Sequence, residues 1–392
     1  MFYIRTYNKI SSRGLSSFPA DFYQVSEEES QPHGILLRSQ KLHDIDLPES
    51  VLGIARAGAG TNNIPVSKFT EKGVVVFNTP GANANAVKEL VLAGLLLGSR
   101  GILQGRDYVN TLTEMSDSDE MAKLLEQEKK HYAGRELMGK TLGIVGLGAI
   151  GSLVADVALA LGMKVVGYDP ALSIDAAWRL SSQVKRMESL EQLLGRVDYV
   201  TLHIPAIAAT KHLINEDTLQ LMKSTACILN FARASIVDSN AVVQALDAGA
   251  LGQYICDFPE PWLINHKKVI AVPHIGASTA EAEENCATMA VAQLREFLEH
   301  GNIKNSVNFP TTELARGHGN THARLTFTNH NKPGVLGQVL SIFAEHEINI
   351  VDMVNKSRDD IAYNILDMSE QPSQETLNAM KAISAVLNVR VL

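Results

Sequence analysis

The sequence predicts an α/β protein built around a doubly wound, mostly parallel sheet of the Rossmann type. A smaller α/β unit precedes this sheet, and a ferredoxin-like α+β domain follows it. Three observations predict this class. A strand, glycine turn, helix and strand pattern covers residues 140–169. The alternation of short apolar runs with helical segments then continues to about residue 278, as a parallel sheet with helices on both faces requires. From residue 321 the order becomes β-α-β-β-α-β, which is the ferredoxin-like split unit.

The stretch 140–169 predicts a dinucleotide-binding turn. Its glycine spacing is G-x-G-x-x-G, and the turn contains Gly146, Gly148, Ala149, Ile150 and Gly151. The first glycine permits the tight turn, the second lets the backbone approach a pyrophosphate, and the third packs helix against strand. The helix after the turn directs free N–H groups at an anion. Asp169 follows the glycines by about 20 residues, where a ribose-binding acid belongs. An ordinary glycine-rich turn would explain the glycines but not the acid in register.

Composition excludes several classes of function. With 392 residues the chain has room for two to three domains, and its net charge of -8 argues against binding nucleic acid through phosphates. No run approaches 18 apolar residues, so we expect no membrane partner. The three cysteines show no metal or disulfide spacing, so we expect reduced thiols, no metal and a cytoplasmic location.

The first 80 residues predict the smaller α/β unit, with buried strands at 35–38, 52–55 and 74–77. Polar loops follow two of these strands, at Arg38-Ser39 and at residues 56–63. Ligands of open α/β sheets bind beyond the carboxyl ends of strands, so both loops are candidates for substrate contact. The alternative is that the glycines only turn the chain and that Arg56 is solvated.

An apolar helix is predicted at 86–100, and a polar arm follows it at 101–138. A helix this apolar must be buried between domains or between subunits. The arm has little core content, so we expect it to pack on a partner subunit of a homodimer or homotetramer.

Three polar residues follow predicted strands of the large sheet: Arg233, Glu260 and His274. Hydride transfer from a secondary alcohol to a nicotinamide needs a proton acceptor that titrates near neutrality, and histidine supported by a carboxylate fits that need. An arginine can hold a substrate carboxylate in a bidentate fork. Taken singly, each residue also has a structural explanation, as a surface arginine or a packed histidine.

Five motifs together resemble those of the D-2-hydroxyacid dehydrogenase family. They are the glycine turn, Tyr168-Asp-Pro170, Asn230-Phe-Ala-Arg233, Asp257 with Glu260-Pro261, and Pro273-His-Ile-Gly-Ala-Ser-Thr279. The resemblance implies a flavodoxin-like substrate domain at 1–85 and 279–310, with an NAD-binding Rossmann domain at 86–278 inserted in it. It also implies a C-terminal regulatory domain of the ACT type at 320–392.

The resemblance further implies the residues of the site. Arg233, Glu260 and His274 would be catalytic. Besides the glycine turn and Asp169, it places His203, Pro205, Ala232, Asp257 and Gly276 at the cofactor NAD. It places Arg38, Ser39, Arg56, Ala57 and Gly58 at the substrate. The segment Asp257–Pro261 is about two residues shorter than is usual in the family, so Glu260 is the best match rather than an exact one.

The implied reaction is NAD-dependent oxidation of a phosphorylated 2-hydroxy acid, 3-phosphoglycerate, to 3-phosphohydroxypyruvate at the start of serine synthesis. Alternatives are a dehydrogenase for glyoxylate, hydroxypyruvate, lactate or 2-hydroxyglutarate, or an NAD-sensing binding protein. Serine is the expected effector. Asn331 and Asn349 match two positions of serine-regulated relatives, while Asn329 stands where those relatives have histidine.

Overall fold

The computed structural model describes residues 1–316 and 322–392, except the side chain of residue 175. The chain forms two compact units. One comprises Met1–Asn83 with Ala280–Leu392, and the other comprises Ala84–Thr279. Within the described residues, no helix has the length and apolar character needed to cross a membrane.

The elements are as follows in chain order, for the residues that the structure describes. The strands are β1 (Phe2–Tyr7), β2 (Tyr23–Ser26), β3 (Gly34–Leu37), β4 (Gly53–Arg56), β5 (Val75–Phe77), β6 (Thr141–Val145), β7 (Lys164–Tyr168), β8 (Lys185–Arg186), β9 (Tyr199–Leu202), β10 (Cys227–Asn230), β11 (Gln253–Cys256), β12 (Val269–Ala271), β13 (Ala323–His330), β14 (Ile350–Arg358), β15 (Ile361–Met368) and β16 (Val386–Val391). The α-helices are α1 (Ser12–Leu15), α2 (Val66–Glu71), α3 (Ala84–Ser99), α4 (Ile102–Asn110), α5 (Ser118–Glu128), α6 (Ala149–Ala160), α7 (Ile174–Arg179), α8 (Leu190–Leu194), α9 (Glu216–Leu219), α10 (Ser239–Asp247), α11 (Ala280–His300), α12 (Val335–Glu345) and α13 (Gln374–Lys381).

The unit 84–279 contains a parallel sheet with the strand order β12-β11-β10-β9-β6-β7-β8. The order reverses between β6 and β9, where Val145 pairs with Leu202. Apolar cores cover both faces of the sheet. The predicted Rossmann-type architecture is therefore confirmed, and the glycine turn after β6 lies at the switch point where such sheets bind nucleotides.

The unit 1–83 and 280–392 contains a second parallel sheet, with the order β2-β1-β3-β4-β5. This is the flavodoxin-like order. The long helix α11 packs on it through Ala290, Leu294 and Phe297, all in the apolar core of this sheet. The sequence pattern does not predict strands β1 and β2.

The segment 302–310, which follows α11, packs on the edge of this sheet although it is polar in composition. Ile303 and Phe309 are buried, and Ser306 forms a bridge to Phe77 of β5. The Asn308 side chain is also buried. Its Oδ1 accepts a hydrogen bond from Val76 N (2.8 Å), and its Nδ2 donates to Val74 O (2.9 Å). A polar side chain such as Asn308 is therefore needed here, because it forms hydrogen bonds with backbone N–H and C=O groups at the edge of the sheet.

The C-terminal sheet is antiparallel, with the order β14-β15-β13-β16. Helices α12 and α13 cover one face through a core that includes Phe327, Phe343 and Leu366. The opposite face packs against α11 and the segment after it, through Tyr363 and Ile365. The predicted β-α-β-β-α-β domain is confirmed.

A buried ion pair holds this second face in place. Arg324 of β13 and Asp367 of β15 form a bidentate pair, with Arg324 Nε 2.6 Å and Nη2 2.8 Å from the two carboxylate oxygens. The two side chains are only 2% and 1% exposed. The remaining guanidinium donors bind the carbonyl oxygens of His300, Leu314 and Ala315. Carbonyls at a helix end lack intrahelical partners, so the C-terminal sheet caps α11.

Candidate active site

The glycine turn at the switch point has the geometry of a phosphate-binding turn. Gly146 has φ of 91°, which favours glycine. A Cβ at Gly151 would lie 2.0 Å from the Gly146 carbonyl oxygen, so the third glycine is required for packing. A Cβ at Gly148 would instead meet nothing within 4 Å. Only the second glycine therefore faces open space, as a turn that admits a pyrophosphate requires.

The helix and the acid around this turn also fit a dinucleotide. Gly148 is the N-cap of α6 and forms no side-chain cap, so the first N–H groups of α6 are left for an anion. Asp169 follows β7, and its Oδ2 accepts a hydrogen bond from Leu147 N at 2.8 Å. The carboxylate is thereby held against the turn, and its remaining lone pairs can accept ribose hydroxyl groups.

His203 follows β9 on the other side of the switch point. Its Nε2 lies 2.9 Å from Thr201 Oγ1, and burial lowers the pKa of the ring to about 3. A Cβ at Gly146 would lie 2.5 Å from the His203 carbonyl oxygen. His203 is therefore a neutral ring packed behind the glycine turn. Pro205 and Ala232, also expected at the cofactor, follow the ends of β9 and β10.

The sheet brings the three predicted catalytic residues to one edge. Strands β10, β11 and β12 are neighbours, and Arg233, Glu260 and His274 each follow one of them. Phe258 lies between two of the three. Its ring centroid is 5.9 Å from Arg233 Cζ and 4.7 Å from the His274 ring. The sequence pattern does not predict the aromatic ring between these two side chains.

Glu260 has a different partner from the one expected. Its carboxylate accepts a short hydrogen bond from Ser239 Oγ, which in turn accepts one from Trp262 Nε1 at 2.9 Å. Within the described residues no hydrogen bond joins Glu260 to His274. The role of Glu260 in supporting the histidine thus stays a prediction.

One buried residue that the sequence pattern does not single out, Asn230, positions the loop that carries Arg233. The Asn230 side chain accepts from Ala232 N (3.2 Å) and donates to Arg233 O (2.9 Å), which fixes the turn that carries Arg233. Asn230 has no exposed surface. Its place in the motif Asn230-Phe-Ala-Arg233 was the signal that could have identified it.

Asp257, expected near the nicotinamide, fixes the loop that carries His274. Its two carboxylate oxygens accept from Ile275 N (2.6 Å) and Gly276 N (2.8 Å), and the side chain is 1% exposed. A Cβ at Gly276 would lie 2.9 Å from Asp257 Oδ2. His274 itself is exposed and has φ of 55°. The structure therefore gives both Asp257 and Gly276 a positioning function.

The expected substrate loops lie at the carboxyl edge of the other parallel sheet. Arg38 and Ser39 follow β3, and Ala57 and Gly58 follow Arg56 at the end of β4. Arg56 Nε donates to Arg38 O at 3.0 Å, which joins the two loops. A Cβ at Gly58 would lie 2.5 Å from Arg56 Nη1, so the glycine gives room for the guanidinium.

The three asparagines of the expected effector site differ in their surroundings. Asn329 is 4% exposed, and its amide binds His330 O (2.7 Å) and Asn364 (2.8 Å) inside the sheet. Asn331 and Asn349 are exposed. A ligand of Asn329 would have to replace those internal bonds, whereas the other two are accessible within this unit.

Comparison with known proteins agrees with this geometry. Residues 103–276 match the model of the D-isomer specific 2-hydroxyacid dehydrogenase NAD-binding domain, and residues 323–385 match the ACT domain. The D-3-phosphoglycerate dehydrogenase of Haemophilus influenzae is 33% identical, with 94% of this chain and 88% of the relative covered. The enzyme of the same name from Escherichia coli K12 is 32% identical, with 95% and 90% covered.

A solved structure shows the same similarity. The NAD+-bound 3-phosphoglycerate dehydrogenase of Entamoeba histolytica superposes with a TM-score of 0.61 at 26% identity, covering 78% of this chain and 98% of that one. The similarity to the bacterial relatives extends over nearly the whole length of both proteins, and it includes the nucleotide-binding unit and the ACT domain. This chain therefore belongs to the D-isomer specific 2-hydroxyacid dehydrogenase family.

Proposed function

We propose that this chain is an NAD-dependent D-3-phosphoglycerate dehydrogenase, which oxidises 3-phosphoglycerate to 3-phosphohydroxypyruvate in the first step of serine synthesis. The observation that carries the proposal is the similarity to enzymes of that name over 94% of the chain, with the NAD-binding and ACT domains both present. The arginines Arg38 and Arg56 on the substrate loops favour an anionic substrate.

In the proposed reaction, His274 takes the proton of the C2 hydroxyl group and Arg233 holds the substrate carboxylate. Bound NAD+ supplies the acceptor for the hydride that leaves C2. Phe258 contributes an apolar surface against both residues, and Glu260 would favour the protonated histidine through its charge. Asp169 disfavours the additional phosphate of NADP by charge repulsion, so we expect NAD to be preferred.

A spectrophotometric panel of 2-hydroxy and 2-oxo acids with NAD(H) tests the substrate. We expect 3-phosphoglycerate to have the highest kcat/KM. A higher value for lactate, glyoxylate, hydroxypyruvate or 2-hydroxyglutarate would assign the chain to a different dehydrogenase. If NAD binds but none of these acids is turned over, the alternative of an NAD-sensing binding protein is favoured.

We further infer that serine binds the C-terminal domain as a feedback effector. A cavity of about 570 Å³ lies beside Asn331, and its lining includes His330, Lys332 and Arg358. A small zwitterion finds both donors and acceptors there. Asn349 is outside this lining, so the cavity supports the part of the expected site that contains Asn331.

Calorimetric titration with serine tests this effector. We expect binding by the wild type that is lost in Asn331→Ala and Asn349→Ala and kept in Asn378→Ala, a control on the exposed surface of α13. Absence of binding by the wild type would remove serine as the effector. Loss in Asn331→Ala alone would confine the site to the cavity.

We also infer a homodimer or homotetramer in the cytoplasm. Neither α4 nor α5 of the polar arm buries a side chain within the chain, although Ile102 and Val109 are apolar. The cysteines Cys227, Cys256 and Cys286 are free and buried, which suits a reducing compartment. Light scattering of the full chain and of a variant that lacks 111–128 tests the assembly, and cell fractionation tests the location. A monomeric full chain would contradict the first inference.

A further inference from the structure

The side chain of Arg38, on the first substrate loop, forms an ion pair with Glu283. Arg38 Nη1 lies 2.6 Å from Glu283 Oε1, and the two side chains are 38% and 45% exposed. Exposed pairs of this kind contribute about 0–1 kcal/mol to stability. The fold therefore does not depend on this pair, and another anion can take the place of Glu283 at little cost.

The backbone of the same loop is fixed independently of this pair. Arg38 O accepts hydrogen bonds from Arg56 Nε at 3.0 Å and from Asn63 Nδ2 at 3.3 Å. Asn8 Oδ1 accepts from Ser39 N at 2.9 Å. Among the residues that the structure describes, Glu283 is the only one that forms an ion pair with Arg38. Exchange of that partner would thus move the guanidinium without disturbing the loop.

Glu283 has a second favourable interaction that does not depend on Arg38. It lies in the first turn of α11, where the helix dipole stabilises a negative charge. When Arg38 turns to a ligand, the Glu283 carboxylate remains beside the guanidinium. The two anions then compete for one guanidinium.

We propose that Glu283 is a positioning residue that acts through Arg38, and that it competes with the phosphate of the substrate and so raises KM. This inference rests on the proposed function, because it assigns the second anionic group of the substrate to Arg38. A substrate that lacks this group does not bind Arg38, so its KM should not depend on Glu283.

Substitution of the carboxylate by an amide tests the competition. Glu283→Gln keeps the shape and an acceptor oxygen for Arg38 but removes the charge. We expect KM for 3-phosphoglycerate to fall about twofold to fivefold, the size of an exposed ion-pair effect, with kcat unchanged. KM for unphosphorylated glycerate should not change. The matched control is Glu284→Gln, which removes the exposed pair between Arg13 and Glu284 in the same helical turn and should leave both KM values unchanged.

A double-mutant cycle separates this effect from a general change of charge. In an Arg38→Ala background, Glu283→Gln should alter KM by less than about 1.5-fold if the carboxylate acts through Arg38. An equal fall in both backgrounds, or a rise of KM in Glu283→Gln, would overturn the inference.

Calorimetry with 3-phosphoglycerate makes the test independent of turnover. Tighter binding by Glu283→Gln than by the wild type supports the inference, whether or not a hydroxy acid is oxidised. If 3-phosphoglycerate binds in this way but is not oxidised, only the proposed function is contradicted. Unchanged affinity in an active enzyme removes the inference and leaves the proposed function in place. No binding of 3-phosphoglycerate by either protein removes both.

Discussion

His274 is exposed, yet its backbone is in the left-handed region, so the substitution that tests it must respect this conformation. Asparagine tolerates positive φ better than alanine does and cannot accept the proton. We expect His274→Asn to lower kcat about 10²–10⁴-fold, the usual contribution of general acid–base catalysis, with NAD affinity unchanged. Stopped-flow turnover and calorimetry measure the two quantities. Wild-type turnover would exclude His274 from the mechanism.

The glycines of the turn make separable contributions. Gly151→Ala would place a methyl group 2.0 Å from Gly146 O, so we expect a lower unfolding midpoint together with weaker NAD binding. Gly148→Ala meets no protein atom within 4 Å and has a φ of -70° that alanine accepts. This variant should keep the wild-type midpoint of thermal unfolding, and its affinity for NAD should fall on the order of tenfold. Thermal unfolding without NAD and calorimetric titration with it compare the variants. Unchanged affinity in Gly148→Ala would argue that the pyrophosphate does not approach this residue.

His203 should make stability depend on pH. Burial lowers its pKa to about 3 in the folded state, against about 6.5 when unfolded. The unfolded state therefore binds more protons between these values, so the stabilisation is complete above pH 6.5 and is lost as the pH falls toward 3. The slope is at most about 1.4 kcal/mol per pH unit. Denaturant titrations from pH 8 to 5 should show a smaller loss in His203→Asn. Burial and the nearby N-terminus also lower the pKa of His33, so part of the slope should remain.

At the scale of elements, the segment after α11 stabilises the edge of the flavodoxin-like sheet. The buried Asn308 side chain binds Val76 N, Val74 O and Thr70 Oγ1. Asn308→Ala leaves a buried N–H group without its partner, and we expect a loss of about 1–3 kcal/mol in the free energy of unfolding. The exposed Lys304→Ala in the same segment should change it by less than about 0.5 kcal/mol. A loss below 1 kcal/mol in guanidinium unfolding of Asn308→Ala would mean that water replaces the amide.

The same segment shows what the sequence could and could not predict. Buried parallel strands such as β4 and β5 are continuous apolar runs, and the predicted ranges 52–55 and 74–77 lie within one residue of them. The family resemblance, and not the spacing of the strands, implies that Arg233 and His274 belong to one site. Asn308 instead acts through residues more than 200 positions away, and no local pattern reveals such a partner. The hydrogen bond between Ser239 and Glu260 is a comparable case. Which neighbour a side chain binds depends on the conformation of the turn that carries it, and the sequence pattern does not give that conformation.

In the molecule as a whole, the buried ion pair of Arg324 and Asp367 holds the C-terminal sheet against α11. Removing one partner of a buried ion pair costs about 3–5 kcal/mol, because the other charge stays buried. We expect a loss of that size in Arg324→Met, measured by denaturant unfolding. The double variant Arg324→Met/Asp367→Leu leaves no buried charge and should recover part of the loss. Equal stability of both variants would show that the capped carbonyls, and not the carboxylate, account for the cost.

The docking of that sheet limits how this protein can exchange modules with its relatives. Tyr363 OH donates to Gly301 O at 2.7 Å, Arg390 Nη2 donates to Phe297 O at 2.5 Å, and Arg324 donates to His300 O. Three side chains of the C-terminal sheet thus donate hydrogen bonds to carbonyl oxygens at the C-terminal end of α11, a helix of the flavodoxin-like domain. A foreign effector-binding domain joined at residue 316 would need equivalents of all three. A chimaera designed by sequence boundaries alone would leave the carbonyl oxygens at the end of α11 without these donors.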